Sequence, residues 1–486
     1  MKVCFVTSEV VPYAKTGGLG DVSRALPVAL QSAGCQVKVF MPLYESIRTD
    51  QHDLSFARDL FESSVKIGDR DVVFNVWYGK LAPSNAEIYF VDCPQYYHRP
   101  GVYTSDADED ERFILLQHAA FHIMQRYHWA PDVVHANDWP TALMPAMLTE
   151  RYGWDDLFRN TASVLSIHNI AYQGTFHRSG IFKAGLSYSG SSPGGPLEYH
   201  GGFSFLKAGV AFADMVSTVS PTYAREIQTP EYGIGMDGIL RTRAGDLFGI
   251  LNGIDTVAWN PASDPHIAQT YDVDSIDRKE ANKIVLADEC GLPFWRHVPL
   301  VGIVSRLATQ KGLALLYPIL APLLESEAIQ LVVLGSGERD QEAFFRHAAA
   351  HYPDRVHARI GFDEPFAHRI EAGADVFLMP SLYEPCGLNQ MYSLRYGTVP
   401  VVRKTGGLAD TVIDQDESGG QGNGFSFYDF TAEALLATLL RAIATYHVPH
   451  TWRGIQQRGM VQDFSWSASA ARYVELYQTA ISRRKP

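Results

Sequence analysis

The sequence predicts an α/β protein made of two doubly wound domains. Three observations carry the prediction. Strand-like runs alternate with helical runs along most of the chain. At 486 residues it is also long for a single hydrophobic core. Finally, a Gly-rich stretch at residues 15–22, KTGGLGDV, has an echo at 404–409, KTGGLA, each after an apolar run and before a helix start. Strand, Gly-rich loop and helix N-terminus together present backbone N–H groups and a positive helix end to an anion. Two such loops suggest two halves closing on one phosphate-bearing ligand.

Taken in order, the first strand is the run VCFVT from Val3. The helix after the Gly-rich loop is marked by Val22, Ala25, Leu26, Ala29 and Leu30, with Pro27 expected to kink it. Residues 37–41, 72–77 and 87–91 read as β, the last two less regular. The charge run DADEDE at 106–111 reads as a solvated loop or helix start and not as a metal site, followed by a helix over 112–127. A short buried strand at 132–135 ends in Ala136-Asn137-Asp138-Trp139, and another at 163–167 ends in His168 and NIAYQG.

Residues 180–202, rich in Gly and Ser, read as a flexible lid or loop. A strand at 215–219 and the NGID of 252–255 complete a first domain, 1–255. Residues 256–298 read as an inter-domain connection. They contain the DxD of Asp272 and Asp274, which is discounted because it lies outside any strand end. The second domain, 299–460, has strands at 300–304, 329–334, 355–360, 376–379 and 399–402 with helices between. The final stretch, 461–486, is expected as a helix crossing back to the first domain.

Composition narrows the function. Hydrophobic residues make up 46% and charged residues 20%, as in ordinary globular chains. A net charge of −13 argues against a nucleic-acid surface but leaves room for one phosphate ester in a focused cleft. The 5 cysteines have no CxxC spacing, so neither a zinc site nor a disulfide framework is indicated. No apolar run reaches the roughly 18 residues of a membrane helix, and MKVCFVTSEV enters a strand with no targeting segment, so a cytoplasmic protein is expected. The 24 Tyr, 25 Phe and 8 Trp are mildly consistent with a sugar ligand.

The candidate chemistry sits at strand ends, where open α/β sheets bind ligands. Asp138 either faces a ligand or caps the helix after it. His168 either faces a ligand or holds its own loop. Arg306 and Lys311 share one loop and can grip a diphosphate from one side, the guanidinium as a fork and the ammonium as a point charge. Glu384 ends the strand at 376–379, placed to accept sugar hydroxyls or support positive charge at an anomeric carbon. Cys386 has no base beside it in sequence and reads as packing. A half-formed GxGxxG at 335–337 is weak support for a dinucleotide.

Seven motifs in one order resemble the glycogen and starch synthase family: KTGGLGDV, HANDW (135–139), HNIAYQG (168–174), NGID, SRLATQKG (305–312), EPCGL (384–388) and KTGGLADTV (404–412). The resemblance runs nearly end to end and is closest to bacterial members. It implies the glycosyltransferase-B fold, two Rossmann-like domains facing a deep cleft. It also implies transfer of glucose from ADP-glucose to the non-reducing end of an α-1,4-glucan, with retention, without metal or other cofactor, and with no nucleic-acid or membrane partner.

Family roles imply Lys15, Gly17, Gly18, Asp21 and Asn252 by the donor. Arg306 and Lys311 hold its phosphates, Phe362 its base, Glu384 the transferred glucose, and Thr405, Gly406 and Gly407 the distal phosphate. Asp138 and His168, with Tyr97, border the acceptor side. Two positions stand out. Tyr392 occupies the place where related transferases often carry a second Glu, as this family leads one to expect. Phe362 stands where members often have Tyr. Other readings of the residues are a transferase using UDP- or GDP-sugars and a non-catalytic binder of sugar nucleotides or glucans.

Overall fold

The computed structural model describes residues 1–326 and 328–484. They divide into two compact units, Met1–Gly253 with Trp466–Pro486, and Ile254–Ser465.

The first unit is wound from β1 (Lys2–Val6), α1 (Gly18–Ser32), β2 (Gln36–Pro42), β3 (Arg70–Lys80), β4 (Glu87–Asp92), α2 (Glu109–Arg126), β5 (Val133–Asn137), β6 (Ala162–Ile167), β7 (Met215–Thr218) and β8 (Leu247–Gly249). Its main sheet runs β8-β7-β6-β5-β1-β2-β4-β3, parallel as far as β4. From there β3 and two short strands, Ser55–Phe56 and Ser63–Ile67, continue it antiparallel. The apolar runs of β1 and β5 are buried along their whole inner length because helices cover both faces, which explains why they read as continuous hydrophobic stretches.

Helix α1 buries Leu19, Val22, Leu26 and Leu30, and it continues through Pro27, which lies on that buried face. The chain's last helix, Trp466–Arg484, packs in this unit. Its Tyr477 hydroxyl lies 2.7 Å from His135 Nδ1 on β5, and its Ser469 donates to the Leu251 carbonyl at 2.7 Å.

The acidic run at 106–111 is a helix start, solvated only in its first half: Asp106 is exposed and Asp108 partly so. Glu109, Asp110 and Glu111 open α2 and are buried. Glu109 pairs with Arg112 at 2.6 Å, Asp110 with Lys183 at 2.9 Å, and Glu111 with Arg70 and Lys183. Each buried acid has a basic partner, Glu109 one turn along its own helix and Asp110 and Glu111 from other stretches of chain, which charge counting over six residues cannot show. Residues 180–202 include a short helix, Ser179–Lys183, and bury Ile181, Ser191 and Leu197.

The second unit follows with β9 (Leu300–Val304), β10 (Gln330–Gly335), β11 (Val356–Ile360), β12 (Val376–Met379), α3 (Asn389–Arg395), β13 (Val399–Arg403), α4 (Gly406–Thr411) and β14 (Phe425–Phe427). All six strands are parallel, in the order β11-β10-β9-β12-β13-β14.

The stretch 256–298, expected as a connection, is built into this unit. Trp259 stacks between His368 and Tyr392, with centroids 3.7 and 4.0 Å away. Lys279 is buried and donates to the carbonyls of Glu371 and Ala372 and to the Thr398 hydroxyl, and burial lowers it to about 7. Polar and Pro-rich sequence looked like a linker, but its few large side chains are the ones that anchor it. The DxD is a local turn, Asp272 Oδ1 accepting from the backbone of Asp274 and Ser275.

Candidate active site

Each unit places part of its candidate set where the strand order reverses, the position at which neighbouring loops diverge and leave a crevice. In the first unit that point lies between β1 and β5, in the second between β9 and β12.

In the first unit, Asp138 follows β5 with φ +55, a backbone region that side-chain-bearing residues rarely adopt. It does not cap the helix after it. Its Oδ1 instead accepts from the backbone N–H of His168 at 2.7 Å and of Asn169 at 3.4 Å, tying the end of β5 to the end of β6. Burial raises its carboxyl from 3.8 to about 7, against those two N–H groups.

His168 is half-buried, and burial lowers it to about 4, so it is neutral at pH 7. Its Nε2 lies 3.1 Å from Asn137 Oδ1. The Asn137 amide nitrogen donates to the Val6 carbonyl, so its oxygen faces the ring and Nε2 carries the proton.

The Gly-rich loop behaves differently from the expected anion cradle. Lys15 is ion-paired with Asp21 at 2.8 Å, and both are well exposed. The N–H groups of Thr16 and Gly17 point at Glu9, at 2.5 and 3.3 Å, leaving Gly18 as the glycine at the helix start. A Cβ on Gly17 or Gly18 would meet nothing, so this backbone is open to a ligand. Asn252 is buried and its Oδ1 has no hydrogen-bond partner.

Tyr97 does not border a crevice. It is fully buried and donates to the Arg112 carbonyl at 2.7 Å, so it serves the packing of α2.

In the second unit, Arg306 and Lys311 leave β9 and Glu384 leaves β12, on either side of the reversal. Lys311 Nζ is 2.6 Å from Glu384 Oε2, and the Ser381 hydroxyl donates to the same oxygen at 3.0 Å. Arg306 is exposed, with Gln310 at 3.3 Å. Together these line a cavity of about 170 Å³ that also includes Asn389. A second, larger cavity of about 750 Å³ lies at the opposite ends of the strands, around Lys283, Asp375 and Arg453, away from these residues. Phe362 is 87% exposed just beyond β11.

The echo loop differs from the first in what its glycines do. Thr405 is buried in extended backbone before α4. Gly406, at φ +46, lies against the Glu384 carbonyl and Gly407 against that of Cys386, with no room for a Cβ at either. The Gly407 N–H donates to the Glu384 carbonyl at 3.1 Å. These glycines let the loop carrying Glu384 cross the start of α4, which fixes where its carboxylate points. Cys386 is buried, consistent with packing.

Sequence reasoning missed Glu9, Asn137 and Ser381. Glu9 had one visible signal, a carboxylate just past the end of the first strand, the same place that singled out Asp138. Among the described residues no group of three or more His, Cys, Asp or Glu side chains is placed to hold a metal ion.

Residues 2–242 match the family model described as starch synthase catalytic domain, and 296–454 that of glycosyl transferases group 1. Among curated proteins, the glycogen synthase of Syntrophotalea carbinolica is 44% identical over 99% of both chains. That of Anaeromyxobacter dehalogenans strain 2CP-C is 47% identical over the same shares. Among solved structures, the catalytic domain of starch synthase IV from Arabidopsis thaliana, bound to ADP and acarbose, superposes with a TM-score of 0.88. It is 32% identical, with 99% of each chain covered.

Proposed function

This chain belongs to the glycogen and starch synthase family, and we propose from that premise that it transfers glucose from ADP-glucose to the non-reducing end of an α-1,4-glucan, with retention and without a metal ion or other cofactor. The observation that carries the reading is the Arg306, Lys311 and Glu384 set around one cavity at the strand reversal. Two cations there supply the charge that a departing diphosphate needs, in a site that is already organised before reaction. The carboxylate beside them supports the positive charge that develops at the anomeric carbon.

In the proposed step the bond from the anomeric carbon to the phosphate oxygen breaks. The acceptor hydroxyl oxygen bonds to the same face of that carbon, and its proton passes to the departing phosphate, giving ADP and a chain one glucose longer. Among the described residues that line this cavity Glu384 is the only carboxylate, so no second one is placed there as a nucleophile. Asp138 and His168 bind on the acceptor side, His168 as a neutral imidazole. Phe362 stacks on the base. We also place the protein in the cytoplasm; no described helix is long and apolar enough to cross a membrane.

The test is ADP release from ADP-glucose with and without glycogen, in EDTA, beside UDP-glucose. Glycogen-dependent, EDTA-resistant release with ADP-glucose is expected. Turnover with UDP-glucose alone overturns the donor, and inhibition by EDTA overturns metal independence.

A further inference from the structure

Glu9 is only 2% exposed, yet nothing in the reaction described above uses it. It lies just beyond β1, and its two carboxylate oxygens receive four donors. Oε2 accepts the backbone N–H of Thr16 at 2.5 Å and of Gly17 at 3.3 Å. Oε1 accepts the Thr16 hydroxyl at 2.8 Å and the Tyr103 hydroxyl at 2.6 Å. Tyr103 in turn sits 2.8 Å from the Ser8 hydroxyl.

The segment so gripped lies open to solvent. Thr16, Gly17 and Gly18 are exposed, and a Cβ on either glycine would touch nothing. Two adjacent glycines carry a large conformational entropy, so an unanchored loop here would sample many backbone states. Bonds to a carboxylate are roughly twice as strong as neutral ones, and this carboxylate is held in a buried place by β1.

We propose that Glu9 is a positioning residue for glucosyl transfer: its carboxylate fixes the Lys15–Gly18 backbone so that the open glycine face and the N-terminus of α1 meet the donor already organised. The inference rests on the donor assignment made above. The Thr16 and Gly17 N–H groups serve Glu9, so the donor meets Gly18 and the Lys15 side chain instead of a full ring of backbone donors.

The arrangement makes Gln a discriminating substitute. Its carbonyl can replace Oε2 beneath the two N–H groups. Its amide can replace Oε1, because both hydroxyls there can rotate to accept. Glu9→Gln therefore keeps the grip and drops the charge, while Glu9→Ala loses both.

The experiment measures steady-state transfer and backbone hydrogen exchange of residues 13–20 in the full chain. Glu9→Ala is expected to lower kcat by about tenfold to a hundredfold, the range for a displaced positioning element, and to speed exchange at Thr16 and Gly17. Glu9→Gln is expected to recover most of the rate and the protection. Thr16→Val and Tyr103→Phe, which each remove one donor and leave the carboxylate in place, should fall between; they carry the test if Glu9→Ala does not fold. Unchanged kcat in Glu9→Ala, or a Glu9→Gln enzyme as slow as Glu9→Ala with its loop still protected, overturns the proposal. Glu9-dependent protection in a wild-type chain that transfers no glucose would uphold the anchor and remove the transferase reading.

Discussion

The Lys311 ammonium lies 2.6 Å from Glu384 Oε2, joining the loop after β9 to the loop after β12. Neither group is well exposed, with 18% and 8% of the side chains accessible. The pair therefore gains from a partly water-excluded setting, and removing one partner strands the other.

Changing either member of this pair should slow the reaction. Glu384→Ala and Lys311→Ala are each expected to lower kcat by about a hundredfold to a thousandfold, the usual scale of a lost transition-state electrostatic contact. Each should also lower the melting temperature, and Lys311→Ala/Glu384→Ala should be less impaired than the two losses multiplied, because neither charge is then left alone. A Glu384→Ala rate within about threefold of wild type would remove Glu384 from the reaction.

The two Gly-rich loops should respond oppositely to alanine. A Cβ at Gly406 or Gly407 collides with the carbonyls of Glu384 and Cys386. Gly406→Ala and Gly407→Ala are thus expected to destabilise the second unit by about 1–3 kcal/mol or more and to displace Glu384. At Gly17 and Gly18 the added methyl meets nothing. Gly17→Ala and Gly18→Ala should keep the wild-type melting temperature and lose donor affinity. Thermal melts beside donor titrations separate these outcomes; equal melting losses at all four positions would refute the distinction.

Stability should bend with pH in two directions. Asp138 is raised from 3.8 to about 7 by burial, so the folded chain holds its proton more tightly than the unfolded chain. Its contribution is fully present below about pH 4 and is lost as pH rises to 7, a change on the order of a few kcal/mol. His168 is lowered from 6.5 to about 4 by burial, so its contribution is present above pH 6.5 and is lost as pH falls to 4. Asp138→Asn should gain stability relative to wild type as pH rises from 4 to 7, read as urea midpoints. A difference that does not vary with pH would show that Asp138 is not held in the protonated form.

Phe362 should act on donor binding alone. It is exposed on the second unit, so Phe362→Ala costs no packing. Loss of a base-stacking face is worth about 1–3 kcal/mol, so KM for the donor should rise about tenfold or more while kcat holds. Phe362→Tyr should restore it. A fall in kcat with unchanged KM would place Phe362 elsewhere in the cycle.

Much of this was legible along the chain. The alternation of apolar strands and helical runs, the strand-end positions of Asp138, His168, Arg306, Lys311 and Glu384, and the two Gly-rich loops all follow from local periodicity and turn chemistry. What reads as one motif twice, KTGGL, proved to be two devices. In the first the glycines stay open and a buried Glu9 holds the loop. In the second the backbone of Glu384 and Cys386 fills the space beside them.

Most of the long strands and helices, their order and which residues stand at strand ends are set by neighbours within a few positions, while short elements such as Leu247–Gly249, Phe425–Phe427 and Ser179–Lys183 carry too little periodicity to be read that way. Only the tertiary structure decided what those residues meet. Strand order puts β1 beside β5 and β9 beside β12, bringing Lys311 to Glu384, and the packed fold brings Tyr103 to Glu9. It also buries Asp110 and Glu111 against Lys183 and Arg70, withdraws Tyr97 into the core, and packs 256–298 into the second unit. These contacts join residues far apart in the chain, and burial, which sets the proton affinities of Asp138 and His168, exists only once the first unit has folded around them.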